Sequence, residues 1–233
     1  MNGLVVCVNY ADFLARTLPR NASHFDHIVV VTTPDDVATR AVVHGCDHAE
    51  LFVTQAFTKH GAVFNKGLAI EEGFDFLGRD GWMCVWDADT VMPRDMDLND
   101  LPPNRLYAPR RRICSKPERW DDGEDWRRFP RYRDREFAGY FQLFHASDPV
   151  LATRPWYGTH WRHAGGCDSD FQAKWPRERK VRLPFDVLHL GKPGVNWAGR
   201  TPDHQHILRQ LRSDRSKHGY TQEQLQNTFT NVE

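Results

Sequence analysis

The sequence predicts an α/β fold, because short apolar runs alternate with helical patterns through the first part of the chain. Four apolar runs have the length of buried strands, and they cover residues 4–8, 27–33, 50–53 and 82–86. The segments between them carry helical signals and cover residues 11–18, 34–44 and 62–77. Strands that are separated by helices pair in parallel and leave the helices to cover the sheet. We therefore expect a mostly parallel central sheet flanked by helices.

Two of these helices have specific support in the sequence. The second follows a proline and two acids, Asp35 and Asp36, whose charges suit the positive end of a helix dipole. In the third, apolar residues and one glycine step by four, three, four and three positions and so share one helical face; they are Val63, Gly67, Ile70, Phe74 and Leu77. Both segments are therefore predicted to be helices.

The second part of the chain is less regular. Residues 102–135 are dense in arginine, aspartate and aromatic residues and show little periodicity, which predicts long loops with some hairpin. After this segment the sequence predicts two further strands, at 137–144 and 185–190, and a short helix at 168–175. The arginine-rich segment therefore interrupts an otherwise regular α/β chain.

The bulk composition limits the function classes. Lysine plus arginine and aspartate plus glutamate number 31 each, so no global charge favours nucleic acid or a membrane surface. The chain has no long apolar run and no signal peptide, so we expect a cytoplasmic protein without a membrane span. The five cysteines include no C-x-x-C pair, which argues against a zinc knuckle and against a disulfide framework.

The clearest chemical signal is a pair of aspartates at the end of the fourth predicted strand. Asp87 and Asp89 directly follow the apolar run 82–86. Ligands of parallel sheets bind at the carboxyl ends of strands, and two carboxylates at this spacing can share a divalent ion such as Mg²⁺ or Mn²⁺. The alternative is a solvated turn, since Asp-Ala-Asp-Thr ahead of Pro93 also suits a loop.

Two enzyme classes place such a motif at the end of a strand. One is the haloacid-dehalogenase type of phosphohydrolase, whose D-x-D-x-[TV] motif is matched by residues 87–91 and would make Asp87 a nucleophile. That class carries the motif on its first core strand and a lysine some way before a later acidic pair. Here the motif follows the fourth predicted strand, and no lysine lies between Lys116 and the later pair, Asp168 and Asp170.

The other class is indicated by several short motifs that follow one another in a characteristic order. They are VFNKGLAIEEGF (63–74), GWMCVWDADTVMP (81–93), FAGYFQLF (137–144), AGGCDSDFQAKW (164–175) and VLHLG (187–191). Over roughly residues 60–200 the order resembles the β-1,4-galactosyltransferases and the polypeptide N-acetylgalactosaminyltransferases, and more loosely the family-2 type of inverting transferases. The resemblance implies a GT-A (nucleotide-diphospho-sugar transferase) fold. It also implies a metal-dependent hexosyltransferase that moves a sugar from a UDP-sugar to an acceptor hydroxyl with inversion.

The resemblance assigns roles to individual residues. Asp89 would be a direct ligand of Mn²⁺ or Mg²⁺, with Asp87 at the metal and at sugar or ribose hydroxyls, and His189 completing the site. Asp168 lies where the catalytic base of the family lies, and Asp170 beside it is the second candidate. The residues expected to contact the donor nucleotide are Val8, Asn9, Tyr10, Thr32, Asp35, Asn65, Lys66 and Asp87.

Domain boundaries follow from the same resemblance. We expect a single GT-A catalytic domain over residues 1–200, with a loop-rich insertion on the acceptor side at about 102–136. The remaining residues, 201–233, are predicted to form a C-terminal helical tail.

Some features leave the substrates open. The family's W-G-G-E-D motif has Ala164 and Cys167 in place of its tryptophan and glutamate, so the sugar is undefined. The arginines and aromatic residues of the insertion suit a phosphorylated or nucleic-acid acceptor, such as a modified DNA base. Acidic residues in the same segment favour the alternative of a solvated, internally paired loop. The acceptor is therefore left open between a glycan, a small molecule and modified DNA. A non-catalytic module that binds nucleotide sugars is the remaining alternative.

Overall fold

The computed structural model describes residues 1–120, 125–132 and 137–192. Its strands are β1 (Asn2–Val6), β2 (His27–Thr32), β3 (Ala49–Val53), β4 (Trp82–Asp87), β5 (Thr90–Val91), β6 (Leu106–Cys114), β7 (Phe141–His145) and β8 (Lys180–Leu190). Its helices are α1 (Ala11–Asn21), α2 (Val37–His44), α3 (Lys66–Leu77) and α4 (Cys167–Ala173). The predicted tail, 201–233, lies outside the described residues.

One mixed sheet forms the centre of the protein. The strand order is β3-β2-β1-β4-β7-β6-β8-β5. The first four strands in this order are parallel to one another, as the alternating pattern predicts. Beyond β4, among the strands that the structure describes, the pairs are antiparallel except for β6 and β8, which are parallel. The sheet is therefore parallel in one half and mixed in the other.

The loop interpretation of 102–135 is wrong for β6. This strand of nine residues lies inside the sheet, between β7 and β8. Its first half is buried, whereas its second half carries Arg110, Arg111 and Arg112, which hides the apolar pattern of a strand. Pro109 lies at a register shift in the pairing with β8, where a missing N–H does least harm to the ladder.

Smaller differences concern element boundaries. The strand predicted at 137–144 begins only at Phe141, and the helix predicted from Ala62 begins at Lys66. The strand predicted from Phe185 extends back to Lys180, because its earlier residues pair with the start of β6. Pattern reasoning thus placed these elements correctly but missed their ends.

Apolar layers cover both faces of the sheet. On one face α1 packs Phe13, Leu14 and Leu18 into the cluster that contains Val30 of β2. On the other face α3 and α4 pack into a separate cluster, which contains Ile70, Phe74, Phe144 and Phe171. Both clusters are lined by alternate residues of the central strands, as expected for a sheet buried on two sides.

The order in which successive strands are added to the sheet changes sides between β1 and β4, although the two strands are parallel. Strands β2 and β3 extend the sheet on one side of β1, and β4 then returns to the other side. In that pairing Val6 at the end of β1 lies opposite Asp87 at the end of β4. Ligands of open α/β sheets bind outside the carboxyl ends of strands at such a reversal.

Two further expectations concern cysteines and membranes. All five cysteines are free thiols in this structure. Within the described part of the chain, no helix combines the length and the apolar character that crossing a bilayer requires.

Candidate functional site

An ion pair between Lys66 and Asp87 lies at the carboxyl edge of the sheet. Asp87 ends β4, and Lys66 is the first residue of α3. The Lys66 Nζ donates to Asp87 Oδ1 at 2.5 Å, and only 13% of the lysine side chain is exposed. Asn65 fixes this lysine because its side chain caps α3, accepting from the Leu68 amide at 2.9 Å.

The surroundings keep Lys66 charged. Burial by itself favours the neutral amine, but the negative charges of Asp87 and Asp168 outweigh it and raise the pKa of Lys66. The lysine is therefore a cation at neutral pH, at the point where the sheet reverses. A fixed positive charge at such a position suits an anionic ligand.

Asp89 and His189 form a second pair beside the first. The two-residue strand β5 pairs with the end of β8 and places Thr90 opposite His189. The Leu190 amide donates to the Asp89 carbonyl at 2.8 Å. This pairing places His189 Nδ1 at 3.2 Å from Asp89 Oδ1, with exposed side-chain fractions of only 6% and 7%. Residues far apart in sequence are thus adjacent, as the motif order predicts.

The His189 ring lacks the hydrogen bonds that a buried imidazole normally makes. Within the described residues neither ring nitrogen has a hydrogen-bond partner, although Nδ1 approaches Asp89. Buried polar atoms are almost always satisfied by a partner. An imidazole and a carboxylate held together in this way suit a cation between or beside them.

The predicted three-residue metal site is not assembled. Within the described residues, no group of three or more histidine, cysteine, aspartate or glutamate side chains is arranged to hold a metal ion. Asp89 and His189 are adjacent, whereas Asp87 directs Oδ1 to Lys66. The ligand roles of Asp87, Asp89 and His189 all stay predictions.

Asp168 lies next to the Lys66–Asp87 pair. Its Oδ2 accepts from the Gly139 amide at 2.8 Å, and its Oδ1 accepts from the Ser169 amide at 3.0 Å. A Cβ placed on Gly139 would lie 3.2 Å from Asp168 Oδ2 and 3.4 Å from Lys66 Nζ. Asp168 does not cap the helix, because the N-cap position of α4 is Gly166. Its orientation is therefore set by backbone amides.

Asp170 contacts a different group. Its Oδ2 accepts from Trp161 Nε1 at 2.6 Å, and His160 Nε2 lies 3.6 Å away. Trp161 was not predicted to take part in the site, since a lone tryptophan in an irregular segment gives no sequence signal. The two acids of α4 thus have separate environments, although both were predicted to be catalytic.

The predicted nucleotide-contacting residues gather at the ends of β1 and β2. Asn9 is exposed and has a left-handed φ of 61°, and its amide donates to Asp36 Oδ2 at 2.6 Å. The Thr32 hydroxyl also donates to Asp36, at 3.3 Å, while Asp35 is exposed. Asp36, which caps α2 through the Thr39 amide, therefore holds this corner together.

Other predicted contacts are partly engaged within the fold. Val8 is buried in the apolar layer, and Tyr10 stacks on Phe13 with ring centroids 5.8 Å apart. The Asn65 amide group donates to the Thr159 carbonyl at 2.7 Å in addition to capping α3. Among the residues predicted from the FNK motif, Lys66 is thus the one that faces the ion-pair site.

The arginine-rich segment makes many internal contacts. Arg112 and Arg131 both donate to Asp186 Oδ2, at 2.7 and 3.1 Å. The Arg111 guanidinium stacks on the rings of Tyr132 and Tyr140, at 4.5 and 4.6 Å from their centroids. These contacts support the alternative of an internally paired segment. Residues 121–124 and 133–136 of the predicted insertion lie outside the described residues.

Comparison with solved structures identifies the fold. The inositol-1-phosphate CTP transferase from T. maritima superimposes with a TM-score of 0.51 at 6% identity, covering 91% of this chain and 96% of that one. The chain has a GT-A-like transferase fold. The predicted fold class is therefore confirmed, at a level of sequence identity that carries no information on substrates.

Two other structures match less well. GalNAc-T7, solved with UDP, GalNAc and Mn²⁺, gives a TM-score of 0.49 at 12% identity over 100% of this chain. The present chain spans about half of that protein, 48% of its length. A 4-diphosphocytidyl-2C-methyl-D-erythritol synthase from Anaerococcus prevotii gives 0.45 at 12% identity, over 92% of this chain and 95% of that one. No family profile and no curated protein matches the sequence.

Proposed function

We propose that this protein is a metal-dependent glycosyltransferase that moves a sugar from a UDP-sugar to an acceptor hydroxyl with inversion. The observation that carries the proposal is the buried Asp89–His189 pair beside the Lys66–Asp87 ion pair, at the reversal point of the sheet. A cation site and a charged lysine at one edge suit a nucleotide diphosphate, which carries several negative charges.

Two protein ligands fit the ion of such a reaction. Mg²⁺ usually keeps several waters and binds through one or two carboxylates together with substrate phosphates, and not in an all-protein cage. Asp89 and His189 would hold Mn²⁺ or Mg²⁺ from the protein side, with the donor diphosphate occupying other positions. The bound ion would neutralise charge on the departing diphosphate.

Lys66 and Asp87 would act on the donor. Asp87 is about one-third exposed, so one carboxylate oxygen remains available for a sugar or ribose hydroxyl while Oδ1 accepts from Lys66. The Lys66 cation would add a positive charge near the diphosphate. The nucleoside would extend over the ends of β1 and β2, towards Asn9 and Asp35.

Asp168 would be the general base. It accepts the proton of the acceptor hydroxyl while that oxygen forms a bond to the anomeric carbon. The bond from this carbon to the diphosphate oxygen breaks, and UDP leaves with the electron pair. Attack from the face opposite the leaving group inverts the anomeric configuration. The Gly139 and Ser169 amides hold the carboxylate in one orientation for this transfer.

The phosphohydrolase alternative has less support. In that class the nucleophilic aspartate lies at the end of the first core strand, whereas Asp87 here ends β4, with three strands before it in the chain.

The proposal is tested by donor turnover. A panel of UDP-sugars is incubated with the protein and Mn²⁺, and UDP release is measured with and without a mixture of candidate acceptors. We expect release from one donor that requires the metal and is abolished in Asp89→Asn, which keeps shape but removes charge. Asp95→Asn is the matched control, because Asp95 is an exposed aspartate a few residues further along.

Three results would contradict the proposal. Release of phosphate from a generic aryl phosphate, lost in Asp87→Asn, would identify a phosphohydrolase. Tight binding of UDP without turnover of any donor would identify a binding module. Equal turnover by Asp89→Asn and by the parent protein would remove the metal assignment.

A further inference from the structure

The first turn of α4 is packed against Trp161. This side chain is 5% exposed, and its Nε1 donates to Asp170 Oδ2 at 2.6 Å. Gly166, the N-cap of α4, lies against the face of the indole. A Cβ on this glycine would lie 2.4 to 2.6 Å from three ring atoms. The indole therefore contacts both ends of the turn that carries Asp168.

A second set of contacts connects Trp161 to α3. A Cβ on Gly158 would lie 2.3 Å from Asp170 Oδ2 and 3.0 Å from the Trp161 ring. The carbonyl oxygen of Gly158 in turn packs against Gly67, where a Cβ would lie only 2.0 Å from it. Gly67 follows Lys66 in α3. The starts of α3 and α4 are thus packed together through the 158–161 segment.

This packing fixes the distance between the two charged groups of the site. Lys66 precedes Gly67, and Asp168 follows Gly166 by two residues. Neither helix start can shift without moving a backbone contact or the indole. A general base is effective only within hydrogen-bond reach of the proton that it removes. The position of the α4 turn therefore decides whether Asp168 can act.

We propose that Trp161 is a positioning residue for Asp168. Its N–H anchors Asp170, its ring face supports Gly166, and the two contacts together set the orientation of the turn between them. This inference rests on the proposed function only in that Asp168 is the base. Trp161 itself does not touch the reacting atoms.

The first test is Trp161→Phe, which removes the N–H and part of the ring. We expect kcat for transfer to fall by about 10²-fold, the scale associated with an atomic misplacement of about 1 Å. The KM for the donor should stay the same, because the indole packs against Gly166 and Asp170 of the α4 turn, whereas Lys66 and Asp87 belong to α3 and β4.

The matched control is Trp156→Phe. Trp156 is also buried, at 4% exposure, and its Nε1 donates to the Leu151 carbonyl at 2.8 Å. The same change there should lower stability while leaving kcat unchanged. If both variants lose kcat equally, the effect of Trp161 is merely structural and the proposal is wrong.

A double-mutant cycle tests whether Trp161 affects activity through Asp168. If Trp161 acts through Asp168, then Trp161→Phe should cost no further activity in an Asp168→Asn background. A multiplicative loss in the double variant would show that Trp161 acts independently of Asp168, and would overturn the inference.

Amide exchange gives a readout that does not depend on activity. The Gly139 amide donates to Asp168 Oδ2, so its hydrogen exchange reports the position of that carboxylate. We expect faster exchange at Gly139 in Trp161→Phe but not in Trp156→Phe. If the parent protein transfers no sugar but this difference is found, the proposed function fails and the positioning role stands. Unchanged exchange at Gly139 together with an unchanged kcat would overturn the positioning role alone.

Discussion

Asp168 and Asp170 lie two residues apart in the first turn of α4, but their carboxylates contact different groups. Asp168 accepts from backbone amides beside Lys66, whereas Asp170 accepts from the Trp161 indole. We therefore expect Asp168→Asn to bind UDP and metal normally and to lose transfer by about 10²–10⁴-fold, the usual worth of general-base catalysis. Single-turnover kinetics and calorimetric titration with UDP measure the two effects separately.

Asp170→Asn should be milder, since asparagine keeps an oxygen that can accept from the indole. Its loss of activity should be smaller than that of Asp168→Asn at every donor concentration. A dead Asp170→Asn beside an active Asp168→Asn would show that the roles are exchanged, with His160 near Asp170 as part of a different base.

The second prediction for a single residue concerns Lys66 and donor binding. Lys66→Met keeps the length of the side chain but leaves Asp87 without its cation, so donor binding should weaken by at least tenfold. Hydrogen bonds to charged groups are worth about 1.5–3 kcal/mol, which corresponds to that range. Lys59→Met is the control, because Lys59 is half-exposed and pairs with Glu72 outside the site. Equal donor affinities for Lys66→Met and Lys59→Met would contradict the proposed role of Lys66 in donor binding.

At the scale of elements, the start of α3 depends on a close backbone contact. Alanine normally stabilises a helix relative to glycine by about 1 kcal/mol, but a Cβ at Gly67 would lie 2.0 Å from the Gly158 carbonyl oxygen. We therefore expect Gly67→Ala to lower the free energy of unfolding by about 1–3 kcal/mol, as overpacking does. Denaturant unfolding measures this.

Gly45→Ala provides the comparison. Gly45 is the C-cap of α2 and has a φ of −88°, and the nearest atom to a Cβ placed on it would be 3.5 Å away. Alanine at a compatible glycine position stabilises by about 0.4–1 kcal/mol. The two substitutions are therefore expected to change the free energy of unfolding in opposite directions. A stabilising Gly67→Ala would mean that α3 and the 158–161 segment are not packed closely.

Elements differ in how much the sequence reveals. The strands β1, β2 and β4 are predictable because burial on both faces requires continuous apolar runs. β6 is not, since Pro109 and three consecutive arginines remove that pattern and its pairing partners come from β7 and β8. Tertiary pairing makes these residues a strand, against their local preference.

The candidate site shows the same division. The Asp87–Asp89 motif and its position after a strand are visible in the sequence, because the strand pattern ends directly before it. The adjacency of Asp89 and His189 depends on the pairing of β5 with β8, and β5 has only two residues, too few to give a periodic signal. In the sequence, this adjacency is indicated only by the order of the motifs. The contact between Trp161 and Asp170 had no signal at all, since it is made by an irregular segment.

At the scale of the whole molecule, the candidate site lies between the parallel and the mixed halves of the sheet. Asp87 ends β4, which is the last of the parallel strands in the sheet order, and Asp89 follows it. His189 belongs to β8 in the other half. A ligand held by groups from both halves binds the folded chain and not the unfolded one. Ligand binding should therefore raise the unfolding temperature of the protein as a single transition.

The expected shift of the unfolding midpoint depends on the ligand concentration and on the size of the domain. A ligand at 100 times its dissociation constant stabilises a protein by about 2.7 kcal/mol, and each kcal/mol shifts the midpoint by about 2–4 °C in a domain of roughly this size. We expect UDP with Mn²⁺ to raise the midpoint by about 5–10 °C, and UDP with a chelator to raise it much less. Asp89→Asn should lose the part of the shift that requires metal, because its buried oxygen no longer carries charge next to His189. If UDP stabilises the parent protein equally with and without Mn²⁺, the nucleotide binds through Lys66 and the ends of β1 and β2 alone, and the Asp89–His189 pair has no part in donor binding.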